Sequence, residues 1–373
     1  MQQRLVDRHP DVPADQLIAQ MVPPPTFDEV SFATYIPDPN QPTQAAAVRK
    51  AEEFAQQVGR IYAANHKKSL FGKKKHVSGA GLYLDGGFGV GKTHLLASIY
   101  HAARAIPDAH STGSAPASVG RYAGSAPASD GRSAGSAPAS FGTFGELTNL
   151  VGALGFNSAL DRLSGNSVLC IDEFELDDPG DTMLVSRLLT ELTARGVSVA
   201  ATSNTLPGQL GEGRFAAQDF LREIKKLGAL FDPVRVDGPD YRHRDLPPAP
   251  DPTTPELLAE KAAATPDSTL DDFDELVRHL STLHPSRYGA LIAGVRAVYI
   301  GNVHTVTDQA VALRIVVLAD RLYDAGIPVT VSGVALDRVF SEEMLGGGYR
   351  KKYLRAISRL LALSRFEAPA GAA

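Results

Sequence analysis

Short apolar runs alternate with helical patterns in the first part of the chain. Gly81–Leu84 and Val168–Ile171 are apolar and short, as expected of strands, while Val197–Asn204 combines apolar and small residues, which is typical of a central parallel strand buried on both faces. Helical spacing follows the first run between Thr93 and Tyr100, and follows the second between Pro179 and Arg195. These elements predict an α/β core built on a parallel sheet.

Helical patterns also flank this core. One runs from about Thr43 to Ala64, after an N-terminal stretch broken by prolines, and we expect it to pack onto the core. Another runs from Asp308 to Ala325 and ends at Gly326. The patterns predict four regions: an N-terminal segment 1–65, a core 66–245, a linker 246–268 rich in Pro and Ala, and a smaller, mainly helical C-terminal domain 269–373.

A low-complexity insertion interrupts the core between Ser111 and Ser140. The hexapeptide Gly-Ser-Ala-Pro-Ala-Ser occurs in it three times, beginning at Gly113, Gly124 and Gly135. Such a segment has almost no bulky apolar side chains to offset the entropy lost on ordering. We therefore predict that the insertion is flexible and assign it no chemistry.

Composition narrows the class of protein. No apolar run has the length of a signal peptide or a membrane span, so we expect a cytoplasmic protein. Cys170 is the only cysteine, which excludes an internal disulfide and argues against a structural zinc site. A net charge of -5 argues against a protein that coats nucleic acid. Two basic clusters depart from this balance, and a solvated surface is the simpler interpretation of each: Lys67, Lys68, Lys73, Lys74 and Lys75, and Arg350, Lys351, Lys352, Arg355 and Arg359.

The glycine-rich octet Gly86–Thr93 lies where the first strand gives way to a helix. Glycines let the backbone wrap closely around phosphate groups, and the following helix presents its positive end to the anion. Lys92 is expected to reach the β- and γ-phosphates of ATP, and the Thr93 hydroxyl to ligate Mg²⁺. Further nucleotide contacts are expected from the rest of the loop and the first helical turn, namely Gly86, Gly87, Phe88, Gly89, Val90, Gly91 and His94.

A second motif, Asp172-Glu173, ends the strand that begins at Val168. We expect Asp172 to hold Mg²⁺ through water and Glu173 to polarise the attacking water. A carboxylate beside the metal-binding aspartate suits activation of water, whereas a kinase must exclude water. Hydrolysis is therefore favoured over transfer to a substrate. Asn204 ends the third strand, and it becomes a candidate contact for the γ-phosphate or the attacking water if the strand order brings it close.

Four short stretches together resemble the AFG-like, or ZapE-type, ATPase family. They are Gly-Leu-Tyr-Leu before the loop, Leu-Cys-Ile-Asp-Glu-Phe at the second motif, Ala-Thr-Ser-Asn ending at Asn204, and Asp240-Tyr241-Arg242. The resemblance implies an AAA+-type P-loop core, a smaller helical C-terminal part, and a homo-oligomer with ATP between neighbouring subunits. It also implies a protein partner or client, in cell division for bacterial members and in protein quality control for mitochondrial ones.

An ATP site between subunits requires an arginine from the neighbour, and here the chain departs from the family. Ala217 stands where relatives carry that arginine. Arg214 and Arg222 are the nearest substitutes, and Arg214 is preferred. A second arginine, extended from the C-terminal domain toward the γ-phosphate, is assigned by the resemblance to Arg314, because Leu313 replaces its neighbour in the family pair.

Two alternatives stand beside an oligomeric ATPase that remodels a protein. A DNA-associated initiator or helicase-loader type ATPase is suggested by the basic terminal helix, and it predicts DNA binding that weakens with salt. A nucleotide-dependent binding module with negligible turnover is suggested by the missing arginine at Ala217. The rate of turnover, at concentrations high enough for assembly, separates this module from an enzyme.

Overall fold

A computed structural model describes residues 3–66, 76–87, 89–107, 136–176, 179–205, 221–238 and 249–366. The chain divides into two compact units. Ala14–Tyr241 forms the first, called the loop unit here because it contains the glycine-rich octet. Met1–Pro13 and Arg242–Ala373 together form the second, called the C-terminal unit. The N-terminal segment 1–65 was predicted to pack on the core, whereas Met1–Pro13 belongs to the C-terminal unit.

The loop unit is built on a parallel sheet whose described strands are β1 (Gly81–Gly86), β2 (Ala139–Thr143), β3 (Val168–Asp172), β4 (Ser198–Ser203) and β5 (Asp232–Val236). Their order is β2-β3-β4-β1-β5, and each neighbouring pair is parallel. The three predicted strands are the central ones, so the predicted α/β fold with a parallel sheet is confirmed. The outer strands β2 and β5 were not predicted, because neither contains an apolar run.

Helices cover both faces of this sheet. Successive side chains of a strand point to opposite faces. Leu82 and Leu84 accordingly pack with apolar residues of the helices Pro42–His66 and Lys92–Arg104. Tyr83 packs on the other face, with apolar residues of the helices between Phe144 and Gly228. The described helices of the unit are α1 (Ala14–Ala19), α2 (Pro42–His66), α3 (Lys92–Arg104), α4 (Phe144–Leu154), α5 (Phe156–Leu163), α6 (Pro179–Ala194) and α7 (Leu221–Gly228).

Most of the predicted flexible insertion, residues 111–135, lies outside the described residues. Its last residues differ from the prediction. Ser136 forms a β-bridge with Pro107, and β2 begins at Ala139. Ser140 is buried and its Oγ accepts a hydrogen bond from Asn166 Nδ2 at 2.8 Å. The end of the repeat is therefore part of the sheet.

The C-terminal unit contains a second parallel sheet, of order β6-β7-β8 in the described residues. The prediction of a mainly helical domain missed this sheet. The described elements are α8 (Pro255–Ala264), β6 (Ser268–Asp272), α9 (Phe273–Thr282), α10 (Tyr288–Leu291), β7 (Ala297–Val303), α11 (Gln309–Asp324), β8 (Val329–Gly333), α12 (Glu342–Gly346) and α13 (Arg350–Leu363).

The predicted linker 246–268 is also corrected by the structure. Residues 255–264 form α8, and its Leu258 and Ala262 are buried against Ala297 and Tyr299 of β7. Thr254 caps this helix, since its side chain accepts a hydrogen bond from the Leu257 N–H. Most of the alanines that suggested a linker belong instead to a short helix with one apolar face, while most of the prolines precede it.

Candidate nucleotide site

The octet Gly86–Thr93 connects β1 to α3 at the carboxyl edge of the sheet. Gly89 and Gly91 have φ angles of 73° and 86°, which favour glycine. A Cβ on Gly91 would lie 2.4 Å from the Tyr35 ring. Gly91 is also the N-cap of α3 and makes no side-chain hydrogen bond to the first N–H groups, and uncapped N–H groups at a helix start can bind an anion. Phe88, predicted as a nucleotide contact, lies outside the described residues.

Lys92 is buried at the base of this loop. Its ammonium donates to the carbonyl oxygens of Gly86 and Gly87, at 3.0 and 2.5 Å. It also donates to Asn204 Oδ1, at 2.9 Å. Asn204 reaches this position because β4 lies directly beside β1 in the sheet. The strand order therefore places the predicted Asn204 within one hydrogen bond of the predicted lysine.

Asp172 and Thr93 meet on the other side of the loop. Thr93 Oγ1 lies 3.0 Å from Asp172 Oδ2 and donates to that carboxylate, as does the Thr202 hydroxyl. Burial raises the pKa of Asp172, and the charge of Glu173 raises it further, while the two hydroxyls and Lys92 act against the shift. A carboxylate and a hydroxyl side by side are oxygen ligands of the kind Mg²⁺ prefers, so these residues fit the predicted metal.

Glu173 occupies a constrained turn at the end of β3. Its φ is 54°, in the left-handed region that few residues other than glycine adopt. The Glu173 N–H donates to Thr202 Oγ1 at 3.1 Å, and the Phe174 N–H donates to the Thr202 carbonyl at 2.7 Å. Thr202 therefore fixes the turn and binds Asp172 at the same time. Such strained backbone is concentrated at functional sites, where the surrounding structure holds it.

Sequence reasoning missed the contacts that residues 31–35 make with the loop and with the first turn of α3. The Tyr35 hydroxyl donates to the Val90 carbonyl at 2.7 Å, and the Tyr35 ring meets that of His94 edge-on at 5.5 Å. His94 Nε2 lies 3.0 Å from both the Ser31 carbonyl oxygen and Thr34 Oγ1. The imidazole of His94, predicted to contact nucleotide, thus faces residues 31–34. No motif marks these contacts, because they join positions more than fifty residues apart.

The predicted arginines lie in different parts of the chain, and the structure describes only some of them. Arg214 lies outside the described residues, as do Ala217 and Asp240-Tyr241-Arg242. Arg222 is an exposed residue of α7. Arg314 is a half-buried residue of α11 in the C-terminal unit. Burial raises the pKa of Tyr288 to about 12, and the positive charge of Arg314 acts in the opposite direction.

Two arginines of the predicted basic terminal helix are engaged within the C-terminal unit. Arg355 lies 2.8 Å from Asp320 of α11, and Arg359 pairs with the same carboxylate. Burial alone would raise the pKa of Asp320, but the two guanidinium groups bring it below its usual range. These arginines therefore hold α13 against α11. The second predicted basic cluster, from Lys67 to Lys75, lies outside the described residues.

A parallel sheet whose strand β1 leads through a glycine-rich loop into a helix, with a buried lysine and aspartate beside it, defines a P-loop nucleotide-binding protein. The chain belongs to the AFG1-like ATPase family, whose profile matches residues 11–112, 121–265 and 256–368. Across the described residues, none of the helices combines the length and apolar character needed to cross a membrane.

Named relatives are similar over parts of their length. Cell division protein ZapE of Escherichia coli K12 is 32% identical over 183 residues, which are 48% of this chain and 43% of that protein. Lactation elevated protein 1 homolog B of Danio rerio is 33% identical over 95 residues, 25% of this chain and 19% of that protein. The chain thus spans less than half of either relative.

One solved structure with detectable similarity is domain III of the replication initiation protein DnaA from Thermotoga maritima. The similar region covers 56% of this chain and 68% of the DnaA domain chain, with 19% sequence identity and a TM-score of 0.38. A similarity of that size carries no argument about function.

Proposed function

We propose that the loop unit binds ATP with Mg²⁺ and hydrolyses the nucleotide. The observation that carries the proposal is the convergence of Lys92, Thr93, Asp172 and Asn204 at one edge of the sheet. The ammonium suits phosphate, the carboxylate and hydroxyl suit Mg²⁺, and the amide suits a phosphate oxygen or a water. Membership in an ATPase family supports the choice of ATP.

Each residue has a distinct role in this proposal. Lys92 binds the β- and γ-phosphates, with the loop N–H groups from Gly86 to Thr93 around them. Thr93 and Asp172 hold Mg²⁺, which neutralises charge on the phosphate oxygens. Glu173 takes a proton from the attacking water, and Asn204 orients that water or the γ-phosphate. Either Arg214 or Arg222, from a neighbouring subunit, completes the site.

We further propose that hydrolysis regulates or remodels a protein partner, in a homo-oligomer in the cytoplasm. The name of the similar ZapE protein supports a role in cell division. The DNA-associated alternative loses part of its motivation, because Arg355 and Arg359 are paired with Asp320. A protein partner is therefore preferred to a nucleic acid.

Steady-state ATP turnover of the full chain, measured over a range of protein concentrations, tests the proposal. The wild-type protein should hydrolyse ATP, at a rate per subunit that rises as the protein assembles. Lys92→Ala should reduce this rate by about 10²-fold or more, because the phosphates lose their buried cation. Tight ATP binding with no measurable turnover at any concentration would favour the binding module instead.

A further inference from the structure

A second buried carboxylate, that of Asp85, lies immediately before the phosphate loop. Asp85 is the last residue of β1 before Gly86, and its side chain is 2% exposed. The next carbonyl along the chain, that of Gly86, accepts a hydrogen bond from Lys92. A negative charge at this place lies close to where the proposed site binds the negative phosphates, so it requires compensation.

Arg235 provides that compensation from the edge of the sheet. It lies directly opposite Asp85 in the β1–β5 register, and its Nη1 is 2.7 Å from Asp85 Oδ2. Its Nε donates to Asp237 Oδ1 at 2.6 Å. One half-exposed guanidinium therefore binds two carboxylates, one buried before the loop and one at the end of β5.

The segment after Arg235 is packed against the loop itself. The Asp237 N–H donates to Thr43 Oγ1 at 2.9 Å, and the Asp237 carbonyl accepts from Gln44 Nε2 at 2.8 Å. A Cβ on Gly238 would lie 3.1 Å from Val90 Cγ1. Arg235 thus links β1 to Asp237, and the backbone of Asp237 in turn contacts the start of α2.

We infer that Arg235 is a positioning residue for nucleotide binding, which acts by neutralising Asp85 beside the phosphate loop. The inference rests on the proposed function of that loop. Without Arg235, the Asp85 charge is buried without its partner and repels the phosphates. When Asp85 and Arg235 are both neutralised, the net charge of positions 85, 235 and 237 is about -1, the same as in the wild type.

A double-variant cycle on the full chain tests this inference, with equilibrium binding of ATP and Mg²⁺ and with turnover at saturating ATP. Arg235→Gln should raise the dissociation constant for ATP about tenfold, while turnover at saturation changes less than about twofold. Adding Asp85→Asn to this variant should restore most of the affinity. Arg235→Lys, which keeps the charge, should lie close to wild type.

The matched control is Arg195→Gln in the same unit. Arg195 is also half-exposed and paired, 2.9 Å from Asp161, but it lies at the other end of the strands, before β4. This variant should bind ATP as the wild type does. Lys92→Ala tests the proposed function separately, since this variant should lose ATP binding whether or not the inference about Arg235 is correct.

Two results would overturn the inference. One is wild-type affinity for ATP in Arg235→Gln, in a preparation where wild type binds ATP and Lys92→Ala does not. The other is a double variant that binds as weakly as Arg235→Gln alone, which would show that Asp85 is not the charge through which Arg235 acts.

Discussion

Each of the two parallel sheets has a strand with a buried aspartate at or next to its carboxyl end, and we propose a phosphate site beside only the one in the loop unit. Asp172 closes β3 in the loop unit, and Asp271 lies near the end of β6 in the C-terminal unit. Both are buried, and burial is the main cause that raises the pKa of each. Each is also followed directly by a second acidic residue, Glu173 or Asp272, although the residues before the aspartate are apolar in β3 and mostly polar in β6.

The hydrogen-bond donors distinguish the two aspartates. Asp172 is bound by the hydroxyls of Thr93 and Thr202, which can rotate and accept other partners. Asp271 is bound by the backbone N–H groups of Leu5 and Val6, at 2.9 and 3.1 Å, and these can turn away only if the N-terminal chain moves. Hydroxyl donors leave a carboxylate available to a cation, whereas backbone donors use it to anchor a segment.

Replacing Asp172 by alanine should have the largest effect on chemistry. ATP turnover with Mg²⁺ should fall by about 10² to 10³-fold, because a metal contributes several kcal/mol of transition-state stabilisation. The free energy of unfolding should stay the same or rise, since a buried carboxylate is removed and both hydroxyls can rotate. Turnover assays and urea denaturation measure the two effects.

Asp271→Ala is the control for that variant and should give the opposite result. Turnover by the folded protein should be unchanged, while the free energy of unfolding of the C-terminal unit falls by about 1–3 kcal/mol, since two N–H groups lose their acceptor. Loss of turnover without loss of stability in this variant would contradict the comparison between the two aspartates.

A smaller effect is expected at Gly91, where the loop meets Tyr35. Gly91→Ala should lower the free energy of unfolding by about 1–2 kcal/mol, because alanine is strained at positive φ and its Cβ would contact the Tyr35 ring. ATP affinity should fall as well. Gly152→Ala is the matched control, since Gly152 lies in α4 and an added Cβ would meet nothing within 4 Å beyond the neighbouring backbone of its own helix, and it should raise stability by about 0.5–1 kcal/mol.

The central part of the fold followed from local sequence. Strands β1, β3 and β4 are buried on both faces and consist mostly of apolar or small residues, which makes them easy to recognise. β5 lies at the sheet edge, and three of its five residues are exposed, so Asp-Pro-Val-Arg-Val gives no such signal. In the second sheet β6, which reads Ser-Thr-Leu-Asp-Asp, gives no apolar signal either, whereas β7 begins with the apolar residues Ala-Val-Tyr-Ile and was overlooked.

Site residues were predictable where a motif fixes their spacing. Lys92 and Thr93 follow from the octet, and Asp172 from the end of an apolar strand. Tyr35 and Arg235 were not predictable, because Tyr35 contacts the loop, and Arg235 contacts Asp85 just before the loop, across a long stretch of chain. The sequence indicates the chemistry of the site, and the fold supplies the residues that hold it in place.

The most direct test of the account is ATP turnover and ATP binding by Glu173→Gln. This change keeps the size of the side chain and removes its basicity, so binding should remain within about twofold of wild type. Turnover should fall by about 10² to 10⁴-fold, the usual contribution of a general base. Turnover at the wild-type rate in this variant would contradict the assignment of water activation to Glu173.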